Sequence, residues 1–279
     1  MNVKELIQKA YAEDLPNGDL TTDNLDLGER PGRAKLIAKE DLILCARDLF
    51  EACVHHMDPN AEVLWQFKDG DLVLNQQTVA SIKGDLTKLL KAERVALNFI
   101  GHLSGIATLT RCFVDAARGT KCKILDTRKT TPLLRELEKS AVSCGGGYNH
   151  RRSLSAAVLI KENHIRAAGG MRPAIAAIRR KLSGMIEIEC RTIEEVDIAV
   201  RERVTRILLD NMSVEQMRQA RQRIPAFIEV EASGNMTLER VPVVASLGVD
   251  YISVGALTHS APCADFSLMF DWPGPGGEP

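Results

Sequence analysis

The sequence predicts an α/β protein whose larger part is a closed or nearly closed barrel of parallel strands. From Lys121 onward, short runs rich in β-branched residues alternate with segments of helical pattern. The last four runs begin at residues 185, 206, 227 and 251, a spacing typical of consecutive right-handed βαβ units. Six such units favour a barrel, and a doubly wound open sheet is the main alternative because periodicity does not reveal strand order. The runs are CKILD (122–126), AVLI (157–160), MIEIE (185–189), RILLD (206–210), FIEVEA (227–232) and YISVG (251–255).

The part of the chain before residue 105 has a different pattern. Three stretches are typical of short strands separated by turns: RAKLIAKEDLILC (33–45), AEVLWQFKDGDLV (61–73) and TVASIKGD (78–85). From Asp85 to Ala117, apolar residues recur at intervals of three and four, which predicts a helical region. Gly105 is predicted to divide this region into two helices.

Composition and charge exclude several classes of protein. The chain has 279 residues, of which 45% are hydrophobic and 26% charged, as in an ordinary globular protein. The net charge of −1 provides no basic field that would attract a nucleic acid or a membrane surface. Seven scattered cysteines without a Cys-x-x-Cys pair favour a reducing cytoplasm over a zinc site. We expect neither a signal peptide nor a membrane span, since no apolar stretch reaches ~18 residues.

Polar groups follow each of the six predicted barrel strands. In a barrel of this type, catalytic groups lie where strands end and the loops to the next helix begin. The first two runs are followed by cations, the next two end in acids and the last two lead into glycine loops. In chain order these residues are Thr127, Arg128, Lys129, Lys161, Glu189, Asp210, Ser233, Gly234, Asn235 and Gly255. Such a sorted pattern predicts a site for a small polyanion.

Each of these residues also has a purely structural interpretation. Arg128 and Lys129 fit a solvated basic loop. Glu189 fits a surface acid of a half-buried strand, and Asp210 fits a cap of the helix that follows it. The glycines fit plain turns, although successive backbone N–H groups near a helix start also form phosphate cradles. Lys161 follows three apolar residues. A lysine in such a position must extend its ammonium group to solvent or pair with an acid, and this favours a functional role.

Two further stretches contain candidate ligands. In CGGGYNHRR (144–152), three glycines predict a hinge or a tight turn. His150, Arg151 and Arg152 follow the glycines and are typical of a clamp on an anion. Arg94 lies in an amphipathic helix, where an arginine is more often a surface residue than a ligand.

The residue types indicate which groups they bind. The guanidinium of Arg128 suits a carboxylate by bidentate pairing, and the ammonium of Lys129 suits a carboxylate or a phosphate. Glu189 and Asp210, on neighbouring strands, predict a site for Mg²⁺ or for sugar hydroxyls.

Six blocks of the sequence together resemble one known family. The blocks are ERVALNFIGHLSGIATLT, DTRKTTPLLRELEKSAVSCGGGYNHR, VLIKENHI, LLDNMS, EASGN and YISVGALTHS. They resemble quinolinate phosphoribosyltransferase, also called nicotinate-nucleotide pyrophosphorylase (carboxylating), from Glu13 to about Leu268. The resemblance implies an N-terminal α/β sandwich domain and an incomplete α/β barrel of six or seven strands. It also implies a homodimer or larger assembly in which the partner's N-terminal domain closes each barrel mouth.

The same resemblance implies domain boundaries and a reaction. Residues 1–105 would form the sandwich domain and residues 106–265 the catalytic barrel, with the segment 266–279 expected to pack back on the first domain. The implied reaction converts quinolinate and phosphoribosyl pyrophosphate to nicotinate mononucleotide, pyrophosphate and CO₂, with Mg²⁺, in de novo NAD biosynthesis. The expected partners are these small molecules and a second copy of the chain, without nucleic acid or membrane.

The functional residues of the family match this sequence residue by residue. Its dicarboxylate site matches Arg94, Arg128, Lys129, His150, Arg151 and Lys161, and Thr127 is a further expected substrate-binding residue. The resemblance implies that Arg94 comes from the other subunit. The ribose and magnesium acids, which would hold the metal directly or indirectly, match Glu189 and Asp210. The 5′-phosphate loops match Ser233, Gly234, Asn235, Val254, Gly255 and His259. The expected catalytic residues are Lys129, Glu189 and Asp210.

Four positions depart from the family pattern. We expect a glycine where Leu133 stands, an aromatic residue at Ser140, a basic residue at Ser143 and a second glycine at Asn235. Asparagine tolerates a positive φ better than most residues, so the last loop is expected to keep its form.

Three other functions are compatible with parts of the pattern. A molybdenum-operon paralogue, or another phosphoribosyltransferase with a different acceptor, is the first, and the complete cationic set disfavours it. The second is an aldolase-like barrel that uses Lys129 or Lys161 as a Schiff-base nucleophile. The third is a binding protein without catalytic activity.

Overall fold

The computed structural model describes residues 2–25, 27–28 and 30–271, which form two compact units. The first unit contains the chain up to Leu109 and the described residues from Ala261 onward, and the second is Thr110–Ser260. The divisions lie a few residues from the predicted boundaries at 105/106 and 265/266. Residues 272–279, part of the segment expected to pack back, lie outside the described residues.

Helices and strands alternate along most of the chain. The elements up to the long central helix are α1 (Val3–Asp14), α2 (Leu20–Asn24), β1 (Pro31–Ala38), β2 (Leu42–Ile43), α3 (Arg47–Met57), β3 (Glu62–Trp65), β4 (Leu72–Val73), β5 (Thr78–Asp85) and α4 (Leu86–Ala116). The elements after it are β6 (Lys123–Leu125), α5 (Arg135–Cys144), β7 (Val158–Ile160), α6 (Glu162–Ala167), α7 (Met171–Arg179), β8 (Ile186–Cys190), α8 (Ile193–Arg201), β9 (Arg206–Asp210), α9 (Val214–Arg223), β10 (Glu229–Ser233), α10 (Arg240–Ser246), β11 (Tyr251–Ser253), α11 (Ala256–His259) and β12 (Phe266–Phe270). Within the described ranges, none of the helices combines the length and the apolar character that crossing a membrane requires.

The first unit is built on an antiparallel sheet with the strand order β12-β1-β5-β3. Exposed and buried positions alternate along β1, so Leu36 enters the core while Lys35 faces solvent. Phe50 of α3 and Leu89 of α4 are also buried in the core. The C-terminal strand β12 pairs antiparallel with β1 at the edge of this sheet.

The prediction that Gly105 divides the helical region was wrong, because α4 runs without interruption from Leu86 to Ala116. A glycine inside a helix costs about 1 kcal/mol relative to alanine, and tertiary packing can offset this. A Cβ atom at Gly105 would lie 1.9 Å from the carbonyl oxygen of Pro262. The glycine therefore permits a close approach of the backbone near Pro262, and it does not mark a helix end.

The second unit is a six-stranded parallel sheet with the strand order β6-β11-β10-β9-β8-β7. Strands β7 to β11 follow the chain in one direction, and the first strand, β6, pairs with the last, β11. Right-handed connections wound in one direction place the helices on one face, so the sheet curls around its other face. No pairing among the described residues joins β6 to β7, and the barrel is therefore incomplete. The predicted α/β fold with an incomplete barrel is confirmed, against the alternative of a doubly wound sheet.

The strand register brings the carboxyl ends of the barrel strands to one edge. Ser233 of β10 lies opposite both Asp210 of β9 and Ser253 of β11. Every position of β8 is buried, and the alternation of a strand puts Glu187 and Glu189 on the same face. Acids thus point into the barrel, with apolar residues between them on the outer face.

The backbone at Leu133 adopts a left-handed conformation, with a φ of 70°, and its side chain is 78% exposed. A left-handed conformation costs a residue with a side chain roughly 1–2 kcal/mol, whereas glycine adopts it without this cost. The left-handed backbone at this position therefore explains why a glycine is expected there. Asn235 also has a positive φ, of 49°, in line with the tolerance of asparagine for this region.

Replacement of Leu133 by glycine is expected to stabilise the protein by about 1 kcal/mol, because the left-handed backbone is then unstrained. The measurement is the free energy of unfolding in urea. The matched control, Leu133→Ala, keeps a Cβ atom and should gain nothing. Equal stability of Leu133→Gly and Leu133→Ala would contradict the proposed strain.

Candidate active site

A cavity of about 700 Å³ lies at the carboxyl ends of the barrel strands. It is lined by these site residues predicted within the second unit: Thr127, Arg128, Lys129, His150, Arg151, Lys161, Glu189, Asp210, Ser233, Gly234, Asn235, Val254, Gly255 and His259. Arg152, the third cation of the predicted clamp, is not among the lining residues and pairs with Glu136 instead. Arg94 is not among the lining residues, since it is an exposed residue of α4 in the first unit. The lining residues that sequence reasoning missed are Leu159, Leu208, Asn211, Glu231, Met236, Thr237, Ser253 and Ala256.

Hydrogen bonds of the loop after β6 position Arg128 and Lys129. The N–H of Lys129 donates to the hydroxyl oxygen of Thr127 at 3.0 Å. The carbonyl of Lys129 accepts from the hydroxyl of Thr258 at 2.8 Å. The Nε of Arg128 is buried and has no hydrogen-bond partner in the described structure. Since a buried donor without a partner is costly, an acceptor from a bound anion fits this position.

Arg151 places a second guanidinium in the cavity wall. Its Nη1 donates to the carbonyl of Ala157 at 2.9 Å, which fixes the side chain. Burial, together with the neighbouring charge of Arg128, lowers the pKa of Arg151. An anion bound near both guanidinium groups would relieve their mutual repulsion.

Arg135, which sequence reasoning missed, connects the two cationic segments. Its guanidinium donates to the hydroxyl of Thr130 at 3.0 Å and to the carbonyls of Arg128 at 3.4 Å and Arg152 at 3.1 Å. These partners lie up to 17 residues away along the chain, so no local pattern identifies the arginine.

A buried ion pair between Asp126 and Lys139 lies beneath these loops, and both side chains are fully buried. Asp126 also accepts from the Nδ2 of Asn149 at 2.7 Å and from the N–H of His150 at 2.9 Å. Lys139 donates in addition to the carbonyl of His150 at 3.1 Å. Burial raises the pKa of Asp126 and lowers that of Lys139, although each bonds to the other. The glycine-rich segment is therefore anchored just where its cationic residues begin.

His150 lies above a group of acids inside the barrel. Its Nε2 is 3.4 Å from Oε1 of Glu187 and 3.6 Å from Oε1 of Glu231. Burial alone would lower the pKa of His150, but the bond to Glu187 and the charge of Glu231 outweigh it and raise this pKa. Burial, with repulsion from Glu187, also raises the pKa of Glu231. Arg206 balances part of this negative charge, with its Nη1 3.4 Å from Glu231.

Glu189 of β8 and Asp210 of β9 form an acid pair in the cavity lining. Burial and the neighbouring charge of Asp210 raise the pKa of Glu189. The Nζ of Lys161 lies 3.8 Å from Oε2 of Glu189, and the guanidinium of Arg191 contacts both acids. Two carboxylates that repel each other at the end of neighbouring strands are hard oxygen donors of the kind Mg²⁺ prefers, so the donor set fits this ion.

The glycine loops complete the cavity. The φ of Gly234 is 96°, and a Cβ atom there would lie 2.2 Å from Oδ1 of Asn211. At Gly255 a Cβ atom would lie 3.2 Å from Nε2 of His259. Arg240 stabilises the first loop by donating to the carbonyl of Gly234 at 3.1 Å. A Cβ atom at either glycine would therefore crowd a neighbouring side chain, and the absence of one lets both loops line the cavity closely.

Comparison with known proteins identifies the family. The model of the quinolinate phosphoribosyl transferase C-terminal domain matches residues 106–269, and that of the N-terminal domain matches residues 19–104. The chain is 39% identical over 270 residues to a probable nicotinate-nucleotide pyrophosphorylase [carboxylating] of Bacillus subtilis (strain 168), covering 96% of this chain and 93% of that protein. It is 40% identical over 291 residues to the chloroplastic nicotinate-nucleotide pyrophosphorylase [carboxylating] of Arabidopsis thaliana, covering 97% of this chain and 83% of that one.

Solved structures agree with this result. The crystal structure of nicotinate-nucleotide pyrophosphorylase from Ehrlichia chaffeensis superposes with a TM-score of 0.93 at 38% identity, covering 97% of this chain and 99% of that one. The two domain models and the relatives extend over nearly the whole chain, with the cavity-forming loops inside the matched ranges. The chain therefore belongs to the quinolinate phosphoribosyltransferase family.

Proposed function

We propose that this chain converts quinolinate and phosphoribosyl pyrophosphate to nicotinate mononucleotide, pyrophosphate and CO₂, the step that supplies the pyridine nucleotide in de novo NAD biosynthesis. The observation that supports it most is that one cavity combines three groups of residues. These groups are a cationic wall, the Glu189–Asp210 pair and two glycine loops. The cationic wall consists of Arg128, Lys129, His150, Arg151 and Lys161. The relatives named for this activity, at 39% and 40% identity, support the same conclusion.

The cationic wall suits a pyridine dicarboxylate. Arg128 and Arg151 repel each other in the absence of a ligand, and Arg128 has a buried donor without a partner. Lys129, His150 and Lys161 line the same cavity. Two carboxylates would satisfy these donors by charge-assisted hydrogen bonds, which are the stronger kind.

The other walls suit phosphoribosyl pyrophosphate. Ser233, Gly234 and Gly255 offer backbone groups to the 5′-phosphate, and Glu189 and Asp210 accept hydrogen bonds from the ribose hydroxyls. The same two acids would hold Mg²⁺, directly or through water, and the ion would neutralise charge on the leaving pyrophosphate.

The reaction requires little beyond positioning. Departure of pyrophosphate from C1′ leaves an oxocarbenium-like ribose, which the pyridine nitrogen attacks. The positive charge on that nitrogen stabilises the carbanion that remains when the adjacent carboxylate leaves as CO₂, and a proton then replaces the carboxylate. No general base is needed, so the residues of this chain act by orienting the substrates and stabilising charge.

We further propose that the chain forms a homodimer and is located in the cytoplasm. Arg94 is exposed on α4, and this exposure suits the proposed role of Arg94 in the active site of the partner subunit of a homodimer. A cytoplasmic location is in keeping with the exposed thiols of Cys112 and Cys263, which suit a reducing compartment.

The direct test of the function is turnover with quinolinate labelled in the carboxylate next to the ring nitrogen. With phosphoribosyl pyrophosphate and Mg²⁺, labelled CO₂ and a mononucleotide should form in equal amounts. Nicotinate serves as the matched acceptor, because it lacks that carboxylate. A mononucleotide formed from nicotinate and not from quinolinate would indicate a phosphoribosyltransferase with another acceptor.

Replacement of Arg128 by lysine is expected to weaken quinolinate binding by about 1.5–3 kcal/mol, the scale of a hydrogen bond to a charged group. The charge stays, but the planar fork that pairs with a carboxylate is lost. Calorimetric titration measures the dissociation constant. Arg166→Lys, a substitution of an exposed arginine outside the cavity lining, is the control and should change nothing. Unchanged affinity of Arg128→Lys would remove this residue from the carboxylate site.

Two inactive variants, Arg94→Ala and Lys161→Ala, are expected to complement each other when mixed. In a heterodimer, one shared site would contain both substitutions and the other neither. At random exchange half the dimers are mixed, so about a quarter of the wild-type activity should return. Each variant alone, under the same exchange conditions, is the control. No recovery after demonstrated subunit exchange would mean that each site is built from one chain.

A further inference from the structure

Arg191 directly follows β8 and contacts both members of the acid pair. Its Nη2 lies 3.0 Å from Oε1 of Glu189, and its Nε lies 3.2 Å from Oδ2 of Asp210. Its Nη1 contacts Glu162, the first residue of α6. Acids from the ends of three successive strands, β7, β8 and β9, therefore converge on one guanidinium.

The guanidinium contacts the acids from outside the cavity. Glu189 and Asp210 line the cavity, whereas Arg191 is not among the lining residues of the described structure. Oε2 of Glu189 faces Lys161 at 3.8 Å, and Oδ2 of Asp210 also accepts from the Nδ2 of Asn211 at 2.9 Å. A ligand can thus reach the acids while Arg191 stays in place.

The formal charges around the pair cancel. Glu162, Glu189 and Asp210 contribute three negative charges, and Lys161, Arg191 and Arg166, which pairs with Glu162, contribute three positive ones. A divalent cation that arrives alone therefore meets no net negative charge. Removal of the Arg191 charge would leave a net charge of −1 beside the two acids and strengthen the attraction.

We propose that Arg191 is the resident counter-ion of the Glu189–Asp210 pair and keeps the pair from binding free Mg²⁺. The metal then enters mainly as its complex with phosphoribosyl pyrophosphate. That complex is anionic, so the cationic wall attracts it, whereas the same wall repels a free divalent cation. This role of Arg191 rests on the proposed function, because it takes the two acids as the groups that meet the metal. Arg191 acts through those acids and is a positioning residue.

The test is the binding of Mn²⁺, a paramagnetic substitute for Mg²⁺, to the full chain without substrates. The free ion is measured by electron paramagnetic resonance for the wild type, Arg191→Gln, Arg191→Lys and Arg166→Gln. Arg166 is the matched control, because in the described structure it pairs with Glu162 at 3.0 Å and forms no ion pair with Glu189 or Asp210. The side chain of Arg191 is 47% exposed, so solvent and salt screen its charge, and we expect about tenfold tighter binding by Arg191→Gln.

Arg191→Lys keeps the charge and should bind Mn²⁺ within about threefold of the wild type, as should Arg166→Gln. Unchanged or weaker binding by Arg191→Gln would overturn the proposal. Equal tightening by Arg166→Gln would also overturn it, since the effect would then be one of general surface charge. Turnover of quinolinate is measured separately. An inactive wild type would contradict the proposed function, while tighter binding by Arg191→Gln would still support Arg191 as the counter-ion.

Discussion

The buried ion pair between Asp126 and Lys139 is the interaction on which the cationic wall depends. The pair joins the end of β6, helix α5 and the segment that contains His150. Two charges without solvent are stable only when further hydrogen bonds satisfy them, and here Asn149 and the backbone of His150 supply those bonds. Loss of one partner would leave an uncompensated buried charge, at a cost of about 3–5 kcal/mol. The ion pair and its hydrogen bonds thus fix the loops of the anion site before a ligand binds.

Charged residues outside the cavity lining also support the cavity at other points, where like charges lie close together under partial burial. Arg135 connects the backbones of the cationic segments, Arg206 balances the acids below His150, and Arg191 spans Glu189 and Asp210. Because the supporting partners already fix the side chains, ligand binding can relieve repulsion with little reorganisation, which is the condition for catalysis by positioning.

The sequence revealed the cavity-lining residues better than the residues that support them. Strand ends such as Lys161 and Asp210 were predictable, because carboxyl ends of parallel strands meet at one edge whatever the details of packing. Asp126, Lys139 and Arg191 were missed, since their importance depends on partners that are distant along the chain. Gly105 misled for the same reason: its local pattern indicates a break, whereas a remote backbone contact explains the residue. The strand order could be determined only from the structure, because periodicity does not specify which strands pair.

The most direct test of this account is the dissociation constant of quinolinate for Lys139→Met, measured by calorimetry on a variant whose circular dichroism shows it to be folded. Lys139 is fully buried and does not line the cavity, so it cannot touch the ligand. If the ion pair forms the anion site in advance, the affinity should fall by about tenfold or more, since one hydrogen bond to a charged group is worth that much. An affinity equal to that of the wild type would contradict the account, because the cationic wall would then hold its geometry without the pair.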